Sequence, residues 1–289
     1  NPCDITLGQW LEHYLKNDVA PYRAKTTYAG YCTIAKNHVI PTIGYIKIQK
    51  LNRIDIKQYY GIMLQGKNMK QPLSGNTVRK HHTFLYTALK EAQRCGIIKK
   101  NPAEHVSIPS YVKPDIPYYQ PDQVKLLLDA VENEWVLYPL VNIICYLGLR
   151  REEALGLKWE DIDFDKKTIY ICRARVVANR QVYDKEPKSK SSVRILYMNQ
   201  ELENALKEVR NKQIENKELL GEIYRDSGYI VVSQSGEPMN PGSVSSMFGK
   251  FVKQNKSLEH IHLHGLRHTF ASILINKGVS LDLWQQKPP

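Results

Sequence analysis

The sequence predicts two domains: an all-α helical bundle over residues 1–108, then a mainly helical α+β domain with a small antiparallel sheet over residues 121–289, joined by a linker at 109–120. Three observations predict this. Apolar residues in the first stretch recur at the i, i+3, i+4, i+7 spacing of amphipathic helices. Pro109, Pro114, Pro117 and Pro121 crowd a segment with little apolar periodicity, which reads as extended chain between domains. Beyond it, helical stretches are interrupted by short β-branched and aromatic runs between turn residues, the mark of strands. At 289 residues the chain is long enough for two cores of ordinary size.

The elements follow in order. Thr6 caps a helix carrying Leu7, Trp10, Leu11, Tyr14 and Leu15 on one face. A second helix runs from Thr26 to about Val39 and is expected to break at Pro41-Thr42-Ile43-Gly44. Asn52-Arg53-Ile54-Asp55 starts a third, with Ile56, Tyr59, Tyr60 and Met63. Ser74-Gly75-Asn76 leads into a fourth, Thr77 to about Arg94, which buries Val78, Leu85 and Leu89 and ends at Gly96. In the second domain an amphipathic helix opens at Gln120-Pro121, and a more apolar one spans Trp135–Leu147. Strands are expected at Thr168–Val177, Gln181–Tyr183, Val193–Met198 and Gly228–Val232, and helices at about Gln200–Leu220, Pro241–Val252 and Thr269–Lys277.

The net charge of +12 is unevenly placed: residues 1–110 hold 16 Lys+Arg against 6 Asp+Glu, the remainder 25 against 23. A first domain this basic attracts polyanions, because each phosphate it neutralises releases condensed counterions. Lys25, Lys36, Arg79, Lys80, His81 and His82 lie among its helices where they can touch a DNA backbone, whereas most of the interleaved tyrosines read as packing. Cys3, Cys32, Cys95, Cys145 and Cys172 are odd in number and form no C-x-x-C pair, which argues against a disulfide framework or a thiolate zinc site. No apolar stretch is long enough for a membrane span, and the start lacks a secretion signal, so no membrane partner and an intracellular place are expected. Because the chain begins at Asn1 rather than Met, something upstream is expected to be absent.

Two segments carry the chemistry. Gly148-Leu149-Arg150-Arg151-Glu152-Glu153-Ala154-Leu155 and His264-Gly265-Leu266-Arg267-His268-Thr269-Phe270 each set a basic side chain beside a short apolar helical run. Two arginines and a histidine can converge on one small multiply charged anion such as a phosphodiester, which points to DNA phosphoryl transfer. A structural ion pair between Arg150 and Glu153 is the competing reading. The alternation His260-x-His262-x-His264, with His268 beyond, also suggests a metal site, but neither a carboxylate nor a cysteine accompanies it, so no metal is assigned.

These blocks resemble those of the tyrosine recombinases, the phage-type integrases, and most of all those of conjugative transposons. Gly148-Leu149-Arg150 with Glu153 and Leu157-Lys158-Trp159-Glu160-Asp161-Ile162 is similar to the family's first arginine block. Pro187-Lys188-Ser189-Lys190-Ser191-Ser192-Val193-Arg194 resembles its β-hairpin lysine segment, and His264-x-x-Arg267 its second basic pair. The resemblance implies a SAM-like core-binding domain followed by the family's catalytic domain. It implies attack by a tyrosine on DNA, giving a 3′-phosphotyrosyl link with no cofactor. Arg150, Arg267 and His264 would surround the non-bridging oxygens, Lys188 would protonate the leaving oxygen, and Glu153 and His268 would support them. Lys185 and Lys190 stand close enough in sequence to compete for that lysine role. The implied partners are duplex DNA at recombination sites, three further copies in a tetramer and DNA-bending accessory proteins, in a bacterial cytoplasm.

The chain departs from the family at its end. After Gly278-Val279-Ser280-Leu281-Asp282-Leu283 it reads Trp284-Gln285-Gln286-Lys287-Pro288-Pro289, and by register the family's second histidine would fall just after Pro289, the tyrosine later still. Trp284 stands too early to replace that histidine. The second domain is therefore expected to be truncated before the nucleophile, with no nucleophilic tyrosine in this chain. Two further readings follow: a DNA-binding fragment that occupies recombination sites without cutting, and a metal-dependent nuclease, which the lack of an acidic cluster disfavours.

Overall fold

In a computed structural model of the chain, residues 4–67, 71–113, 116–179, 181–186, 193–276 and 278 are described. The chain divides into two compact units, Asn1–Pro114 and Asp115–Pro289.

The first unit is helical. Its α1 (Leu7–Tyr14) begins at Thr6, whose hydroxyl accepts from the Gln9 backbone N–H at 3.2 Å while the Gln9 side chain takes the Thr6 N–H. A π turn (Leu15–Val19) follows, then α2 (Lys25–Ile34), a second π turn (Ala35–Val39), α3 (Ile40–Ile43), α4 (Arg53–Gln65) and α5 (Gly75–Arg94). Asn52 caps α4 by accepting from the Ile54 and Asp55 N–H groups. Leu7, Leu11, Phe84, Leu85, Ala88 and Leu89 are wholly buried, and Trp10 Nε1 donates to the Ala88 carbonyl at 2.9 Å, which ties α1 to α5.

The break expected at Pro41 does not occur, because helical turns run from Lys25 through Ile43. Proline lacks an N–H and its ring crowds the carbonyl four residues back. Here the π turn widens the helix just before it, with the Ile40 N–H reaching the Ala35 carbonyl, and Pro41 falls in the first turn of α3, where an N–H is dispensable. The Thr42 hydroxyl donates to the His38 carbonyl at 2.7 Å.

In the second unit, α6 (Pro121–Ala130) and the almost wholly buried α7 (Leu137–Leu147) precede the short α8 (Arg151–Gly156). Strands β1 (Ile162–Asp163), β2 (Thr168–Ile171) and β5 (Arg194–Tyr197) form an antiparallel sheet in the order β1-β2-β5; β3 (Ala174–Ala178) and β4 (Gln181–Lys185) form a separate hairpin. Then come α9 (Gln200–Leu220), α10 (Pro241–Gln254) and α11 (Leu263–Asn276). The core gathers α7 with Ile169, Leu196, Leu202, Leu206, Phe248 and Leu266.

Three expectations are corrected. The single strand over Thr168–Val177 is two strands in two sheets, because the chain leaves the first at Cys172-Arg173, where both side chains turn to Asp161. Gly228–Val232 forms no ladder: Tyr229 and Val232 make isolated bridges to Lys158 and Pro238, and Ile230 and Val231 are simply packed in the core. The last helix starts at Leu263 rather than Thr269, since Leu263, Leu266 and Thr269 supply a buried stripe that the polar residues between them mask in the sequence.

Candidate active site

The first basic block sits where α7 turns into α8. Gly148 ends α7 in the left-handed conformation, φ 61°, where a side chain would also collide with Phe270: a Cβ would lie 2.2 Å from its Cδ1. Leu149 is wholly buried, and Arg150 caps α8 in extended backbone, φ −68° and ψ 149°. Glu153, in the first turn of α8, reaches back to accept the Arg150 N–H at 2.9 Å. The Arg150 guanidinium then meets the other Glu153 oxygen at 3.0 Å, yet its side chain keeps 56% exposure, so it remains open to a ligand.

The second block sits on α11. His264 and Arg267, three residues apart on one helix, project from neighbouring positions. Arg267 Nη1 donates to the Gly148 carbonyl at 2.6 Å and stands 3.9 Å from Glu153 Oε2, so the two blocks, more than a hundred residues apart in sequence, meet at one carboxylate. His264 and His268 rings stand edge to face with centroids 4.8 Å apart. The His268 Nε2 is buried without a hydrogen-bond partner among the described residues. A cavity of about 380 Å³ opens beside His264, lined also by Arg151, Glu152, Ser245, Phe248, His262 and Leu263.

A third cation completes the cluster and was missed from the sequence. Arg194, on β5 and 6% exposed, spans both Glu153 oxygens, Nη2 to Oε2 at 2.9 Å and Nη1 to Oε1 at 3.3 Å. A signal was present: Arg194 alternates with the apolar Leu196 and Met198 on the inward face of the strand, where a lone arginine calls for a counter-charge.

These neighbours set the protonation states. Burial pushes the Glu153 carboxyl up, but hydrogen bonds and charge from Arg194, with help from Arg150, outweigh it and leave it below the usual range. Burial, then the Arg150 charge, pulls Arg267 below its ordinary value against the pull of Glu153. Burial, then His268 and Arg267, lowers His264, which is therefore neutral at pH 7.

Other expected residues are not in this cluster. Lys188, the lysine expected to serve as acid, lies outside the described residues, as does Trp284. Lys25, Lys36 and Lys80 are exposed on the first unit's helical stretches, while Arg79 donates to the Pro109 carbonyl at 2.8 Å and holds the chain after α5. His81 is corrected: at 1% exposure, with its Nδ1 2.8 Å from the Tyr59 hydroxyl and its ring 5.0 Å from that of His38, it is a core residue that no backbone phosphate can touch. His82 is half-buried and paired in the same way with Tyr60. Among the described residues no three His, Cys, Asp or Glu side chains are grouped to hold a metal ion, and no helix is long and apolar enough to cross a membrane.

Comparison with known proteins agrees with this geometry. Residues 117–287 match the phage integrase family, and residues 6–64 match the phage integrase N-terminal SAM-like domain. The chain is 27% identical to a tyrosine recombinase XerC-like protein of Caldanaerobacter subterraneus subsp. tengcongensis, over 96% of this chain and 74% of that one. It is 25% identical to a probable integrase/recombinase of Acholeplasma phage L2, over 96% and 87%. Its structure is similar to that of the Tn1549 transposon integrase in complex with a circular intermediate DNA, with a TM-score of 0.77 at 25% identity, covering 97% of this chain and 90% of that one. The fold is shared with a lambda integrase tetramer bound to a Holliday junction, TM-score 0.69 at 18% identity, covering 96% and 75%. With both blocks meeting at Glu153, and the family matched across most of its length, the chain belongs to the phage integrase family, the tyrosine-type site-specific recombinases.

Proposed function

We propose that this protein cuts and rejoins duplex DNA at recombination sites through a 3′-phosphotyrosyl intermediate, to excise and integrate a mobile element. The observation that carries the reading is the meeting of Arg150 and Arg267 at Glu153, with His264 one turn from Arg267. Two forked guanidinium groups and a neutral imidazole suit the non-bridging oxygens of a phosphodiester, where negative charge builds up as the fifth bond forms. Transesterification keeps the bond energy in the phosphotyrosyl link, so rejoining needs no nucleotide. Lys188 is assigned the general acid that protonates the departing 5′-oxygen, a role suited to a lysine whose pKa neighbouring cations lower. Lys25, Lys36 and Lys80 are assigned to the DNA backbone, with a tetramer of this protein on the DNA, accessory proteins that bend it and a bacterial cytoplasm as the setting.

A second reading has its own observation. No tyrosine follows Tyr229, and the Tyr229 hydroxyl is bonded to Asp184, near Arg175, with burial pushing it up to about 12. On this second reading the 289 residues act as a DNA-binding unit that occupies recombination sites. One experiment separates the readings. The chain, and the same chain extended at its C-terminus by the native sequence, are incubated with duplex nicked just beyond the cleavage site and run on denaturing gels. A metal-independent covalent adduct with the extended chain alone supports both the recombinase and the placement of the tyrosine; binding without adduct from either leaves a DNA-binding module.

A further inference from the structure

Glu153 is one carboxylate facing three guanidinium groups, and the three do not share it equally. Arg194 takes both oxygens, at 2.9 and 3.3 Å, in the two-point contact that binds a guanidinium to a carboxylate most tightly. Arg150 touches one oxygen with its guanidinium at 3.0 Å, and Arg267 stands off at 3.9 Å, its closer hydrogen bond going to the Gly148 carbonyl. Exposure sets Arg194 apart in the same way: its side chain is 7% exposed, against 28% for Arg267 and 56% for Arg150. The best-held cation is thus the one a ligand cannot reach, and the two a ligand can reach are the least neutralised.

We propose that Arg194 is a positioning residue for phosphate binding: by occupying Glu153 from the buried side, it keeps the carboxylate from capturing Arg150 and Arg267. The inference rests on the reading that those two arginines face a phosphodiester. With Arg194 in place, three positive charges face one negative, and the surplus is presented at the open end of the cluster. Remove Arg194, and Glu153, still held on α8 by the Arg150 N–H, has only Arg150 and Arg267 among the described residues to neutralise it. Both then turn toward the carboxylate and away from an incoming anion. A merely structural arginine would behave differently, since its loss would loosen the sheet without strengthening any other pair. Lysine at this position would keep the charge but lose the fork, giving an intermediate result.

The test uses the 289-residue chain with 15N-labelled arginines, and inorganic phosphate as the probe. Guanidinium rotation, read by NMR, reports which arginine the carboxylate holds, and a phosphate titration reports the open site. In the parent, Arg194 rotates most slowly. In Arg194→Met, rotation of Arg150 and Arg267 slows and phosphate binds about tenfold more weakly, the equivalent of one well-formed charged contact. Adding Glu153→Gln to Arg194→Met recovers most of that affinity, although it removes a second buried group, and Arg194→Lys falls between parent and Met. If Arg194→Met does not fold, as thermal unfolding would show, Arg194→Lys with and without Glu153→Gln gives the same comparison at smaller amplitude. Unchanged rotation of Arg150, or no recovery on adding Glu153→Gln while the parent binds phosphate, overturns the role given to Arg194. Failure of the parent to bind phosphate at all overturns the phosphodiester reading instead.

Discussion

Each unit of this protein buries a polar cluster, and the two are built on opposite principles. In the first unit Tyr59, Tyr60, His81 and His82 join α4 to α5 through two hydroxyl–imidazole bonds of 2.8 Å, with the ring of His38 tilted against that of His81. Burial, aided by the His38 charge, pushes His81 down to about 4, so His81 is neutral at physiological pH, and its Nδ1 is spent on the Tyr59 hydroxyl. In the second unit Glu153 and Arg194 form a buried ion pair to which Arg150 and Arg267 are attached from outside. The neutral cluster holds helices together and offers nothing to a ligand. The charged one is left with surplus positive charge at its open end. A buried polar group is thus no pointer to function by itself; what separates the two is whether the charges inside balance.

The comparison can be broken most directly at Glu153. Glu153→Gln removes the carboxylate that Arg150, Arg194 and Arg267 share, and removing one partner of a buried pair costs about 3–5 kcal/mol. Thermal unfolding should show that loss with hydrogen exchange rising in α8 and β5 while α5 stays protected; equal loosening of both units would mean the clusters are not independent. Next, Arg267→Ala in the C-terminally extended chain should slow adduct formation by about 100- to 1,000-fold, the usual effect of removing one fixed donor to a developing negative charge. A rate within tenfold of the parent, by single-turnover electrophoresis, would remove Arg267 from the chemistry.

Acid should then open the two units in sequence. His81 has a folded pKa below its ordinary 6.5, so its contribution is fully present above 6.5 and is lost as pH falls toward about 4. That loss is on the order of 3 kcal/mol. Glu153 is depressed below 4.5, so its contribution fades only below that value. Hydrogen exchange across a pH series should show α5 opening first, and His81→Phe should abolish the difference; simultaneous opening would contradict it. The smallest effects belong to the exposed lysines. Lys25→Ala, Lys36→Ala and Lys80→Ala should each lower the slope of log affinity against log salt by about 0.9 for duplex DNA, with stability unchanged, whereas His81→Phe should leave the slope alone. Anisotropy titrations at several salt concentrations decide it.

Much was legible without coordinates. Apolar spacing, Thr6 and Asn52 as caps, and the proline-rich stretch predicted helices and two units, because these signals act within a few residues. Both basic blocks were legible too, since arginine and histidine beside short apolar runs are unusual enough to notice. What could not be read was pairing at a distance. Pro41 looked like a break because the widened turn before it depends on packing, His81 looked like a surface base because Tyr59 lies on another helix, and Thr168–Val177 looked like one strand because Asp161, which draws Cys172 and Arg173 aside, is not adjacent to them in the chain. The sequence by itself determined the family, the two units and the residues that carry charge, since composition and local periodicity are properties of neighbours. Only the tertiary structure decided that Arg150, Arg194 and Arg267 share a single carboxylate and that only two of them face outward, because burial and electrostatic balance arise when distant segments are brought together.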